Sequence, residues 1–114
     1  MEFDGSINKL GAGAGIWVYN LENHHVEGHA YRLKFKCTNN IAEYEALLLG
    51  LKLVKRLGAI RVSIMGDSEL VIKQIKAIYM IKDPRLGIYR GTVMKILNTF
   101  LETKLAVIPR KHNM

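Results

Sequence analysis

Thr38-Asn39-Asn40-Ile41-Ala42-Glu43-Tyr44-Glu45-Ala46-Leu47 is the stretch on which the fold turns, because a capping residue opens an apolar pattern of helical period. Thr38 is a good N-cap, and Ile41, Tyr44, Leu47, Leu48, Leu51, Val54 and Leu57 recur at steps of three and four residues. The spacing predicts an amphipathic helix of about 18 residues, stopped by Gly58. Such a stripe needs a surface to cover, and the flanking sequence supplies strands. Upstream, Ile16-Trp17-Val18-Tyr19 is rich in β-formers, and residues 26–35 alternate loosely after the turn-prone residues 20–23, so the two runs read as a hairpin. Phe3 and its neighbours form a short first strand ending at Asp4-Gly5-Ser6, with residues 8–15 as a glycine-rich turn. Downstream, residues 60–65 read as a buried strand, and Gly66-Asp67-Ser68 turns into a second helix carrying Leu70, Val71, Ile72 and Ile75. Residues 79–83 read as a loop. Pro84 suits the first turn of a third helix, with Leu86, Tyr89, Val93, Ile96, Leu97 and Phe100 as its stripe, and residues 104–109 make the last strand. The order β-β-β-α-β-α-α-β is an antiparallel meander followed by helix-linked strands. Helical crossovers require parallel neighbours, so the expectation is an α/β fold: a mixed five-stranded sheet flanked by helices.

The chain has 114 residues, 49% hydrophobic and 24% charged, which describes one domain over residues 1–114. The lone Cys37 excludes an intrachain disulfide, cannot alone supply a cysteine zinc site, and fits a reducing compartment. Apolar runs are too short to span a bilayer, and the acidic start Met1-Glu2-Phe3-Asp4 is unlike the basic start of a signal peptide. The expected location is therefore intracellular, cytoplasmic or nuclear, with no membrane partner. The net charge of +7 is unevenly spread. Residues 1–72 carry eight bases and eight acids, whereas residues 73–114 carry nine bases against Asp83 and Glu102. A basic final third favours a polyanionic partner such as nucleic acid, although a solvated basic helix face produces the same count.

In mixed sheets the reactive site lies outside the carboxyl ends of strands, where strand order reverses. Asp4 at the end of the first strand, Glu43 in the first turns of the first helix and Asp67 after the fourth strand all reach that edge. Three converging carboxylates repel one another, which raises their pKa values unless a cation neutralises them, and hard oxygen ligands suit Mg2+ or Mn2+ rather than zinc. Taken singly, each acid also reads as a solvated surface carboxylate. Placement argues otherwise, since Asp4 and Asp67 stand beside Gly5 and Gly66, where a small residue lets backbone and ligand approach.

Those residues resemble the ribonuclease H family. The resemblance covers essentially the whole chain and rests on Asp4-Gly5-Ser6, the block from Thr38 to Leu47, Gly66-Asp67-Ser68-Glu69-Leu70-Val71, and Ile108-Pro109-Arg110 with Asn113. It implies that Asp4, Glu43 and Asp67 are catalytic and hold two Mg2+ ions, with Mn2+ as a substitute, for cutting the RNA strand of an RNA/DNA hybrid. It implies nucleic-acid contacts at Gly5, Ser6, Thr38, Asn39, Asn40, Glu69 and Arg110. Among these, Asn39 and Asn40 would meet ribose 2′-OH groups and Thr38 a DNA phosphate. Glu69 stands where relatives commonly have Gln, which turns a donor-acceptor into an acceptor facing an anion. The segment from Tyr79 to Leu86, with Asp83-Pro84, is similar to the archaeal, plant and retroelement branch without the extra basic helix. A retroelement polyprotein origin is expected from that branch.

The resemblance also places a fourth Asp shortly after Asn113, opening a final helix, and several more residues ahead of Asp4. The chain is accordingly expected to be truncated at both ends and to cleave weakly or not at all on its own. The alternative from another class is a catalytically disabled module that binds nucleic acid or protein, and a stray inactive fragment is a third reading. Other features read more plainly. Gly11, Gly13 and Gly15 precede a strand and lack the Lys-Ser/Thr of a phosphate loop, so a flexible turn is expected. His25 and His29 would share a strand face about 13 Å apart, too far for one ion, with His24 pointing away. His112 lies near the expected site without matching a family position. Trp17 and Tyr19 are expected to pack in the core, with stacking on nucleic acid as the alternative, and Cys37 reads as a small buried hydrophobe.

Overall fold

Thr38 caps the first helix as its sequence predicts: its Oγ1 accepts from the Ile41 N–H at 3.2 Å, one of the backbone donors that a helix start leaves unpaired. The structure, a computed structural model, describes residues 1–9 and 11–109. Its elements are β1 (Glu2–Asn8), β2 (Gly11–Tyr19), β3 (Val26–Leu33), α1 (Asn39–Arg56), β4 (Arg61–Gly66), α2 (Glu69–Ile75), α3 (Pro84–Leu97) and β5 (Glu102–Val107). The order matches the sequence expectation. Asp83 and Ser68 cap α3 and α2 as Thr38 caps α1, with Pro84 in the first turn of α3.

The five strands form one sheet in the order β3-β2-β1-β4-β5. β1, β2 and β3 are antiparallel, and β4 runs parallel to both β1 and β5. α1 lies on β1 and β2 and also meets α2 and α3. Ile41, Tyr44, Leu47, Leu48, Leu51 and Val54 are buried, so the three-and-four pattern is the core face. From the sheet, Phe3, Ile16, Val18 and Ile64 meet them, and Val93 and Leu97 of α3 close the side. Among the described residues no helix is long and apolar enough to cross a membrane.

Four expectations need correction. Asp4 does not end a strand. β1 continues to Asn8, and what stops near Asp4 is the pairing with β4, whose last partners are Phe3 and Gly66. Nor do Gly11, Gly13 and Gly15 form a flexible turn, since they lie within β2: Gly11 pairs with Asn8 of β1, and Gly13 and Gly15 pair with both neighbours, Gly15 opposite Asp4 and Ala30. The side chain that Gly15 lacks leaves room for Trp17, because a Cβ there would stand 3.1 Å from the indole. Trp17 and Tyr19 are accordingly not core residues. They lie on the sheet face opposite α1 and are 41% and 43% exposed, while Ile16 and Val18 on the other face are buried. Finally, glycine beside the acids serves packing rather than ligand approach. A Cβ on Gly5 would stand 2.2 Å from the Ala42 carbonyl carbon, and one on Gly66 would stand 2.6 Å from the Phe3 ring. Strand ends also shift by about two residues, with β3 stopping at Leu33 and β5 starting at Glu102, and Phe100 packs in the core just beyond α3.

Candidate functional site

Glu43 is the best starting point, being a carboxylate in the second turn of a core helix and only 6% exposed. It is there because α1 lies directly on β1 at Gly5, where a bare backbone lets the helix sit close. The Gly5 N–H donates to Glu43 Oε1 at 2.5 Å, which ties helix to strand just past the last β4 pairing. Asp4 precedes that glycine, and Asp67 follows the last residue of β4, immediately before the Ser68 cap of α2. Each of the three acids offers one carboxylate oxygen to a cluster whose atoms all lie within 4.8 Å of one another. Asp4 is exposed and Asp67 partly buried, so the cluster opens to solvent on one side.

The electrostatics are those of an unfinished arrangement. Burial pushes the Glu43 carboxyl up to about 8; the Gly5 N–H opposes this, and Asp4 and Asp67 add to it by repulsion, Asp4 also as an acceptor for a Glu43 proton. Glu43 Oε2 is a buried oxygen with no hydrogen-bond donor. A buried acceptor left without a donor costs free energy on the order of 1–3 kcal/mol, and more when charged. Two things relieve it: a proton on Glu43, or a cation among the three acids. An all-carboxylate, part-solvated donor set of this size fits a hard divalent ion such as Mg2+ or Mn2+.

Of the expected nucleic-acid contacts, Thr38 and Asn39 are exposed, and Asn40 is half-buried at the start of α1 beside the cluster. Ser6 is exposed two residues beyond Asp4. Asp4 and Ser6 border a shallow groove of about 420 Å3 that runs over the helix-free sheet face past Gly15, Gly28, Ala30 and Trp17. Gly5 differs from the rest, its N–H being committed to Glu43 and its missing side chain to α1. Glu69 does not stand as a bare acceptor. Its carboxylate receives Lys73 Nζ at 2.5 Å and Tyr79 Oη at 3.2 Å, and these partners hold its pKa below the usual range. Lys73 Nζ also lies over the Tyr79 ring, 5.2 Å from its centroid. Lys73 and Tyr79 were not singled out from the sequence, although the four-residue step from Glu69 to Lys73 is a readable helix pair. Arg110, His112 and Asn113 lie outside the described residues. His25 and His29 belong to a separate cluster, each with Nε2 2.9 Å from a different oxygen of Glu27.

Comparison with known proteins agrees with this geometry. A family model described as reverse transcriptase-like matches residues 2–114. A bifunctional protein of Mycobacterium tuberculosis is 28% identical over 102 residues, covering 90% of this chain; the chain spans only 28% of that relative's length. The crystal structure of RNase H1 from the halophilic archaeon Halobacterium salinarum superposes with a TM-score of 0.83 at 27% identity, over 96% of this chain and 83% of that one. LC11-RNase H1, solved in complex with an RNA/DNA hybrid, gives 0.78 at 25% identity, over 96% and 83%. The sheet order, the acids on β1, α1 and after β4, and the match along the chain converge on one conclusion: the chain belongs to the ribonuclease H family.

Proposed function

We propose that this domain hydrolyses the RNA strand of RNA/DNA hybrids, using Asp4, Glu43 and Asp67 to hold Mg2+, with Mn2+ as a substitute. The observation that carries this reading is the buried Glu43 carboxylate, one oxygen of it without a donor, clustered within 4.8 Å with oxygens of Asp4 and Asp67, Asp4 also bordering a surface groove. When bound, Mg2+ lowers the pKa of an attacking water and stabilises the leaving 3′ oxygen, so that cleavage leaves a 5′ phosphate. The chain's own residues do the rest. Gly5 fixes one Glu43 oxygen through its N–H, leaving the other for the metal. Asn39 and Asn40, at the start of α1, read ribose 2′-OH groups, which is how RNA is told from DNA. Thr38 and Ser6 meet phosphate and sugar on either side, and Arg110 adds a base. Glu69 acts by anchoring Lys73 and Tyr79 at the start of α2. That a solved relative was crystallised with an RNA/DNA hybrid supports this substrate class. An origin in a retroelement polyprotein belongs to the same reading, supported by the reverse transcriptase-like description of the family model.

The test is hydrolysis of a hybrid labelled on its RNA strand, in Mg2+ and in Mn2+. The expected products carry 5′ phosphates, and they vanish with EDTA and in Asp4→Asn, Glu43→Gln and Asp67→Asn. Hybrid that binds yet stays intact at excess protein rejects the catalytic reading in favour of the binding module.

A further inference from the structure

At the far end of α1 from Glu43 lies a second groove, of about 630 Å3, with Tyr31 of β3, Leu49 of α1 and Ile96 of α3 as its apolar lining. Lys52, Lys55 and Arg56 form its rim. All three bases are exposed, and none makes an ion pair among the described residues. Lys55 is partly engaged, with Nζ 3.4 Å from the Thr99 carbonyl and 5.1 Å from the Phe100 ring centroid, but Lys52 and Arg56 have no such partner. Among the described residues no acid lines the groove. Beyond the end of α1 the apolar surface reappears, with Leu57, Ile60 and Leu101 each more than half exposed, and Leu101 N–H bonded to the Ile60 carbonyl.

We propose that this groove docks an acidic amphipathic helix of a partner protein, its apolar face on Tyr31, Leu49 and Ile96 and its carboxylates on Lys52 and Arg56. Two properties select that chemistry. The floor offers one ring, Tyr31, beside aliphatic Leu49 and Ile96, so a run of stacked bases finds no succession of flat faces, whereas a helix laid in a groove fills it with alternate side chains. Three bases without acids demand negative charge from the occupant, and complementary charge sets specificity and association rate. Arg56 stands thirteen residues beyond Glu43 on one helix, on the order of 20 Å away, so docking here leaves the carboxylates free.

The probe is a fluorescein-labelled synthetic helix of about fifteen residues, Leu on one face and Glu on the other, followed by anisotropy on the intact chain. The expected result is saturable binding that weakens with salt and falls at least tenfold in Lys52→Glu/Arg56→Glu, with hybrid affinity unchanged. Binding should also be lost when the peptide's Glu residues become Gln, or when its Leu residues become Ser. Equal affinity of the double variant, or of the Gln peptide, overturns the proposal. So does a matching loss of hybrid affinity in that variant, which would make the rim a nucleic-acid surface. Because the substitutions lie outside the carboxylate cluster, failure here leaves the hydrolytic reading to be judged by its own assay.

Discussion

At the scale of single residues, Gly5 and Glu43 are one device, and each can be tested through the other. Gly5→Ala puts a methyl into the Ala42 backbone, where no flexible side chain can yield, so the start of α1 must lift from β1. Overpacking of this kind costs roughly 1–3 kcal/mol, read as a lower urea midpoint, and Glu43 loses its anchor at the same time. Hybrid hydrolysis is expected to fall more than stability does. For Glu43 itself the sign follows from its raised pKa. Between its ordinary value of 4.5 and the folded value of about 8, the folded chain holds a proton that the unfolded chain has released. Stability of the metal-free protein therefore falls as pH rises through that window, by at most about 1.4 kcal/mol per pH unit. Chemical denaturation in EDTA at several pH values should show this slope, and Glu43→Gln should flatten it. A wild-type curve no steeper than that of the variant would count against a proton on Glu43. The same proton must leave when a divalent ion enters, so Mg2+ titration near neutral pH should release protons in the wild type, detected as a calorimetric enthalpy that changes with buffer, and not in Glu43→Gln.

At the scale of elements, the helices are held to one another by buried polar contacts as well as by apolar stripes. Tyr44 of α1 donates its hydroxyl to Gln74 Oε1 of α2 at 2.8 Å, and Arg90 of α3 donates to the Gln74 carbonyl at 2.7 Å. Tyr44→Phe strips the donor from a 97%-enclosed neighbour whose own exposure is 3%, and should cost about 1–3 kcal/mol. Tyr44→Phe/Gln74→Leu should recover much of that loss, because removing both partners leaves nothing unsatisfied. Thermal melts of the three variants decide it, and a double variant as unstable as the single one would point to packing instead. These elements also show what the sequence can and cannot disclose. α1 was legible down to its cap, because Thr38 and a stripe with one buried face impose a period. β2 was legible only from Ile16 onward, because Gly11, Gly13 and Gly15 carry no side chains to alternate and face a surface that no described helix covers. The carboxylate set was legible from order and spacing. The length of β1 beyond Asp4 was not, because its partners there are Gly11 to Ala14 of β2, whose glycines and alanines show no alternation that marks a strand.

For the whole molecule, the +7 charge is less available than its sum implies. Within the basic final third, Lys73 is paired with Glu69, Arg85 with Asp83, Lys104 sits near Glu102, and Arg90 caps α2. Lys76, Lys82 and Lys95 make no ion pair among the described residues. With Arg110 added to these three lysines, hybrid affinity should fall with salt at a double-logarithmic slope of roughly −3 to −4, well short of what nine bases would give. Lys76→Gln and Lys82→Gln should each flatten that slope by about one unit, while Arg90→Gln should lower stability and leave the slope alone. A salt-independent affinity would remove phosphate contact from the account.

The place of β1 in the sheet has a consequence for how the chain reaches this state. It precedes the other described strands in sequence and is the central one, bonded to β2 a few residues away and to β4 more than sixty residues on. The β1–β2–β3 meander and α1 can form from neighbouring sequence, but closing β1 onto β4 is a long-range event that sets the pace of folding. Asp67 arrives only with that closure. During synthesis the nascent chain thus carries Asp4 and Glu43 without their third partner, and the three acids come together only once β4 closes onto β1.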